Sequence, residues 1–346
     1  MRWIGAMIRH VVHASSARNV FAMAFNFLSS VGIVAANKQV FRARFSFATT
    51  LTFWHYLVTA FGLLLLAQVR VFHVKQLDWR KCARLAFGNI SFVVFSNLSL
   101  QYNSVAFYQL MKHLSTPVVL FIESFFYKQA FDQSLVRSLL IMVGGMVIAF
   151  ATDFNLNVLG TLFALVSVVA CACYAVWTGR LQKELDANPL QLQVYVAPMV
   201  AAMLVPFVLA ADVIGKEPGS RVLDYAYTAE HVRLLLYSGI AALCVNVSVF
   251  MVIGYTSSVT YCVLGIAKTS AIILTDFVFF GRPLELMNLM GILLALAGVV
   301  YYSLLKLRSG AKKESSLAMM AAEKGTGPGT NSSPDRSFEK VHIQVK

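Results

Sequence analysis

The chain is 346 residues long, 58% hydrophobic and 13% charged, with a mean hydropathy of +0.68. That composition lies outside the range of soluble globular domains and excludes an aqueous enzyme with an ordinary polar surface. A net charge of +13 would suit a nucleic-acid binder, but the cations cluster at the ends of apolar stretches, so no nucleic-acid partner is expected.

Residues 1–17 carry Arg2, Arg9, His10 and His13 through a weakly apolar run with no cleavage site, which reads as a basic cytosolic N-terminal arm rather than a signal. Apolar stretches of about 20 residues follow, each the length a bilayer requires. They fall at 18–37, 47–69, 82–101, 105–127, 134–152, 157–179, 190–211, 231–253, 259–280 and 286–305. The fold class predicted is an all-α integral membrane protein with ten transmembrane helices, residues 18–305 forming one membrane domain. Residues 306–346 are polar and rich in Gly, Ser and Lys, and are expected to be a disordered cytosolic tail. Ten spans place both termini on one side. Sixteen of the 29 Lys and Arg residues then face the side of the termini and seven the other, which favours cytosolic termini.

The five cysteines lie within or at the edge of spans, and Cys171 and Cys173 have no neighbouring His or Cys pair. Neither a disulfide framework nor a metal site is expected, and no cofactor motif is present. Small residues Ser167, Cys171, Ala175 and Gly179 form a ridge along span six, and Gly291 with Ala295 does so in span ten. Pro117 in span four, and Pro198 and Pro206 in span seven, are positioned to bend their helices.

The two halves echo each other. Asn97-Leu-Ser-Leu recurs as Asn246-Val-Ser-Val, and Ser104-Val-Ala-Phe as Ser258-Val-Thr-Tyr. Glu123 with Phe125-Phe-Tyr recurs as Asp276 with Val278-Phe-Phe, and Gly145-Met-Val as Gly298-Val-Val. Residues 18–152 and 157–305 are therefore expected to be duplicated halves. Five spans per half force the halves to insert upside down relative to one another, the arrangement that underlies alternating access.

Lys112 and Lys268 each lie deep inside an apolar span. A cation at that depth costs about 2.5–3.5 kcal/mol on insertion scales, and is retained where it meets an anion in an aqueous path. Tyr108, Lys112, Ser115 and Thr116 share a helical face with Gln109 beside them; Tyr261, Lys268 and Thr275 align in span nine. Gly265, one turn before Lys268, leaves room for a ligand, and Thr269 adds a hydroxyl. A cation, an aromatic ring and hydroxyls on one stripe suit a ligand with a phosphate, a base and a sugar. Pairing with Glu123 or Asp276 on the same helix is opposed by separations of about 16 Å and 12 Å along the axis; pairing across helices stays open, and snorkelling to the interface is strained at this depth. Lys38, at the end of span one, suits either a cavity mouth or a helix anchor. Asn97 and Asn246 suit interhelical hydrogen bonding as well as ligand contact.

These residues carry a family likeness. Ser30-Val-Gly-Ile with Asn37-Lys38, Phe45-Ser-Phe-Ala-Thr-Thr-Leu-Thr, Asn103-Ser-Val-Ala-Phe-Tyr-Gln-Leu-Met-Lys112, Thr152-Asp153, Pro198 and Gly265-Ile-Ala-Lys-Thr269 with Phe279-Phe-Gly281 are the matching segments. The chain resembles the triose-phosphate/nucleotide-sugar transporters of the drug/metabolite transporter superfamily. The nearest resemblance is to the branch with a Lys-Thr pair in its ninth helix, which includes Golgi UDP-galactose, UDP-rhamnose and UDP-xylose carriers. The resemblance implies a ten-helix inverted-repeat fold and Golgi residence, with the endoplasmic reticulum as the alternative. It also implies exchange of a cytosolic nucleotide sugar for a lumenal nucleoside monophosphate. By that resemblance Lys112, Lys268 and Thr269 contact phosphate and sugar, and Tyr108 and Gln109 lie on the nucleobase side. Tyr261 is added for a ring, Ser257 for sugar hydroxyls and Lys38 for the entrance. Membrane lipid and a second copy of the chain are the other partners considered. A sugar-phosphate or phosphoenolpyruvate exchanger is the alternative within transport; a polytopic enzyme acting on a lipid-linked sugar is the alternative outside it.

Overall fold

A computed structural model describes residues 2–103, 111–150, 157–280 and 286–323. Among these the chain is all-helical: α1 (Arg2–Arg42), α2 (Ala48–Gln68), α3 (Trp79–Tyr102), α4 (Ser115–Phe125), α5 (Gln133–Phe150), α6 (Val158–Glu184), α7 (Pro189–Val208), α8 (Ala229–Tyr255), α9 (Ser258–Phe280) and α10 (Leu286–Glu323). Five are long and apolar enough to cross a membrane, over Ala17–Arg42, Ala48–Gln68, Val158–Glu184, Pro189–Ile214 and Ala229–Tyr255, and Gln133–Ala149 and Leu289–Leu305 are shorter apolar helices. Large apolar side chains such as Phe61, Phe87, Leu165 and Ile240 stand exposed on their outer faces, as a lipid-facing surface requires.

The helices exceed the apolar stretches at both chain ends. α1 begins at Arg2, continuous with the expected N-terminal arm, and α10 runs to Glu323, well past the boundary expected at residue 306. The physical reason lies in the composition of 306–323: Lys, Ala, Met and Glu are good helix formers, so leaving the membrane need not end the helix. The remainder of the expected tail lies outside the described residues.

Polar residues at helix starts take up the unpaired backbone amides. Asp78 accepts from Arg80 N at 2.9 Å, Asn157 from Gly160 N at 3.0 Å and Asn188 from Gln191 N at 2.8 Å. α2 follows Phe47, whose side chain makes no capping hydrogen bond. Its cap comes from 162 residues away: Asp212 Oδ2 accepts from both Thr50 N and Thr50 Oγ1 at 2.7 Å. Asp212 is buried in a π-helical turn, Leu209–Ile214, that continues α7 beyond Pro206. The carboxylate thus sits at the positive end of the α2 dipole.

Pro117 acts where expected, while α7 runs as one helix through Pro198 and Pro206. The helix bearing Lys112 breaks at Leu114, and α4 restarts at Ser115 with Pro117 in its first turn, because Pro117 has no N–H to give to the preceding turn.

α3 packs along α6 and α1 along α8; α2 meets α7 and α8; α3 also meets α7; α4 packs on α6, and α1 and α9 touch; α5 lies against α10. The ridges of small residues sit at these crossings. A Cβ on Gly145 would strike the backbone of Gly291 and Ala295, and one on Gly291 the backbone of Ala149, so α5 and α10 touch backbone to backbone. On α6, Ser167 shares a hydrogen bond with Ser96 at 2.8 Å and the Ala175 carbonyl accepts from Ser258 Oγ at 2.9 Å. The two largest core clusters among the described residues are one joining α4, α5, α6, α8, α9 and α10 and one joining α2, α3, α6, α7 and α8.

Candidate functional site

α9 is launched by Ser257, whose Oγ accepts from Thr260 N at 3.1 Å. Three turns further on, Lys268 leaves the helix toward α1. Its Nζ donates to Asn26 Oδ1 at 2.7 Å and to Ser30 Oγ at 3.1 Å, and lies 5.7 Å from the centroid of the Tyr261 ring. Asn26 is fully buried and is itself aligned: its Nδ2 donates to Ser248 Oγ of α8 at 2.9 Å, while Ser30 Oγ donates to Asn26 O at 2.6 Å. α1, α8 and α9 therefore meet at one ammonium group.

Every one of these acceptors is neutral. Among the described residues the ion pairs are Lys75–Asp186 and Lys81–Glu184, both in the connections and helix ends outside the apolar core. Lys268 has no carboxylate partner there, so its charge is solvated by dipoles and an aromatic face without being neutralised. Removing an ion from water costs several kcal/mol, and neutral hydrogen bonds return only part of it. An anion binding here would recover the rest.

Lys112 lies on the helical turn before the break at Leu114. Its side chain is exposed although its neighbours Met111 and His113 are buried. A Cβ placed on Gly265 would meet nothing within 4 Å, so there is open space one turn before Lys268.

Beside the lysines are polar atoms that lack partners. His113 is 3% exposed with Nε2 unbonded, and Thr116 is 1% exposed with Oγ1 unbonded. An orphaned buried polar atom costs about 1–3 kcal/mol and signals a missing partner. Sequence reasoning placed Thr116 on the Lys112 face but passed over His113, whose only signal is its position next to Lys112. It passed over Asn26 too, whose signal is its spacing of four from Ser30 within an apolar span.

The structure brings Lys268 within 5.7 Å of the Tyr261 ring, and Thr269, the next residue in the chain, is buried. Ser115 turns its hydroxyl to Lys112 O at 2.6 Å. Ser257 stands at the α9 N-terminus, about 16 Å along the helix from Lys268, and its hydroxyl serves as the cap. Lys38 is exposed on α1, about 12 Å along from Ser30. Next to it, Asn37 Oδ1 accepts from Ser238 Oγ at 2.8 Å, and Ser238 bonds His55 Nε2 at 2.6 Å. Asn246 Nδ2 donates to Thr59 Oγ1 at 2.9 Å, an interhelical bond. Tyr108 and Gln109 lie outside the described residues.

A profile of the Triose-phosphate Transporter family matches residues 18–303. UDP-xylose transporter 3 of Arabidopsis thaliana is 36% identical over 285 residues, covering 82% of this chain and 79% of that one. UDP-rhamnose/UDP-galactose transporter 2 of the same plant is 31% identical over 293 residues, covering 84% and 83%. A crystal structure 15% identical in sequence superposes with a TM-score of 0.66 over 85% of this chain and 98% of its own, a likeness of fold alone. The match across the whole membrane domain, the relatives above 30% identity and the helical architecture agree: the chain belongs to the Triose-phosphate Transporter family.

Proposed function

We propose that this chain is a nucleotide-sugar antiporter that exchanges a cytosolic UDP-sugar for lumenal UMP across the Golgi membrane, with both termini in the cytosol. The observation that carries the reading is Lys268. It is held by Asn26, Ser30 and Tyr261 with no carboxylate among the described residues, and Lys112 offers a second cation on an exposed side chain. Two unneutralised cations suit a diphosphate. Transport of UDP-sugars by the Arabidopsis relatives supports the substrate class, and UDP-xylose is the first candidate. Membership of a transporter family removes the enzyme alternative.

In this reading all ten helices span the membrane as two inverted halves, α1–α5 and α6–α10. The packing supports it. Exchanging each helix with the one five later turns the α3–α6 pair into α8–α1, α2–α8 into α7–α3 and α4–α6 into α9–α1, all of which are present. Alternating access follows when each half adopts the other's conformation. His113 and Thr116 offer their free polar atoms to the nucleotide, Tyr261 and Thr269 flank Lys268, and Tyr108 and Gln109 contribute from the nucleobase side.

Counter-flow tests the reading. Liposomes containing the purified protein and loaded with UMP are expected to accumulate labelled UDP-xylose, UDP-galactose or UDP-rhamnose, and empty liposomes far less. Uptake indifferent to internal UMP contradicts antiport; uptake of triose phosphate in place of any nucleotide sugar contradicts the substrate class.

A further inference from the structure

Outside the central site, the N-terminal end of α3 and the C-terminal end of α6 enclose a cavity of about 490 Å³ bounded by Lys81, Arg84, Tyr127, Arg180, Lys183 and Glu184. Glu184 is taken by Lys81. Arg84, Arg180 and Lys183 have no carboxylate partner among the described residues, and the Arg180 guanidinium is stacked 4.0 Å over the Tyr127 ring. A basin with three cations in excess lies at the rim of the bundle.

A second cavity, of about 340 Å³ and walled almost entirely by carbon, adjoins it. Trp79, Arg80, Ala83, Phe87 and Trp177 form it, and it shares Arg84 and Trp177 with the basin. Trp79 and Phe87 are 62% and 64% exposed on the outward face of α3, so this slot opens toward the surface that faces lipid. Snorkelling cations alone need no cavity and no apolar channel beside them. A cationic basin continuous with an apolar slot reproduces the outline of one amphiphile.

We infer that the two cavities form one binding site for an anionic glycerophospholipid. The phosphate headgroup lies among Arg84, Arg180 and Lys183, and an acyl chain lies along the slot between Trp79, Phe87 and Trp177. Planar guanidinium groups suit bidentate contact with phosphate. Under the orientation proposed above the site faces the cytosolic leaflet, which holds the anionic lipids; the geometry does not depend on that orientation, and the test does not involve transport.

Native mass spectrometry of the full-length protein in detergent, titrated with phosphatidylserine or phosphatidylcholine, reads the site directly. One phosphatidylserine adduct is expected to bind in preference to phosphatidylcholine. R84Q/R180Q is expected to weaken it about thirtyfold, from the usual contribution of two surface cations to anionic-lipid affinity. If the double variant does not fold, R84Q and R180Q singly are each expected to weaken it about fivefold. Ala83→Trp keeps every charge and fills the slot, and is expected to weaken the adduct about tenfold by evicting the acyl chain. Arg233→Gln, an exposed cation elsewhere, leaves it unchanged. Equal binding of the two lipids, adducts unaltered in R84Q/R180Q, or an undiminished adduct in Ala83→Trp overturns the proposal. So does displacement of the lipid by inorganic phosphate at equal concentration, which would make the basin a site for a free phosphate.

Discussion

At the scale of single residues, Lys268 shows how a buried cation is kept ready. Asn26 and Ser30 give its ammonium two oxygen acceptors, and Tyr261 a π face. None of them cancels its charge. Asn26→Asp changes that with minimal change of shape, placing a carboxylate 2.7 Å from the ammonium. Transport by Asn26→Asp is expected to fall at least about tenfold, since a fixed counter-charge competes with the substrate phosphates. Wild-type rates in this variant would mean that the unneutralised charge of Lys268 is unimportant. His113 invites the opposite kind of change. Replacing an unsatisfied buried polar group by an apolar one of similar size is close to neutral or stabilising, so His113→Leu is expected to hold or raise the unfolding temperature while lowering transport. A lower unfolding temperature with unchanged transport would make His113 a structural residue only.

The site was partly legible beforehand for physical reasons. Lys112 and Lys268 stood out because a cation is costly in an apolar span, and Tyr261 because a spacing of seven repeats a helix face. Asn26 did not stand out, since small polar side chains inside spans are commonly spent on helix packing, and only the fold shows which of them points at a lysine. Ser257 illustrates the reverse difficulty. A serine just before an apolar helix suits either a sugar or a cap, and its hydroxyl is found on Thr260 N.

At the scale of elements, apolar length located the helices well in the middle of the chain and poorly at its ends. Hydropathy reports where lipid is, and helix propensity continues past the membrane, which is why α1 and α10 overrun the expected arm and tail. Nor could any local pattern reveal that α2 is capped from the end of α7. Asp212→Ala removes that cap and is expected to cost about 1–2 kcal/mol, read as a lower unfolding temperature in detergent. An unchanged temperature would mean water caps α2 equally well. The α5–α10 crossing is less forgiving. Gly145→Val pushes a branched side chain into the backbone of Gly291 and Ala295, and a loss of about 1–3 kcal/mol or more is expected. Stability equal to wild type would show that the two helices can separate freely.

At the scale of the whole molecule, the proposed exchange joins the helix packing to the two lysines. In the proposed two-half arrangement, helices from opposite halves pack in pairs that exchange with one another, and each half would contribute one cation, Lys112 from the first and Lys268 from the second. On that proposal a ligand bridging both would hold the halves in register, and its release would let one half take up the other's conformation. The alternative of two independent anion sites makes a different thermodynamic demand, because independent sites contribute additively whereas groups gripping one ligand do not.

Ligand-induced stabilisation separates these possibilities most directly. A ligand at a hundred times its dissociation constant stabilises the state it binds by about 2.7 kcal/mol. UMP and UDP-xylose are expected to raise the unfolding temperature of the wild-type protein, Lys112→Ala and Lys268→Ala are each expected to abolish that rise, and the double variant is expected to be no worse than either. A rise preserved in full in either single variant would contradict a shared phosphate site.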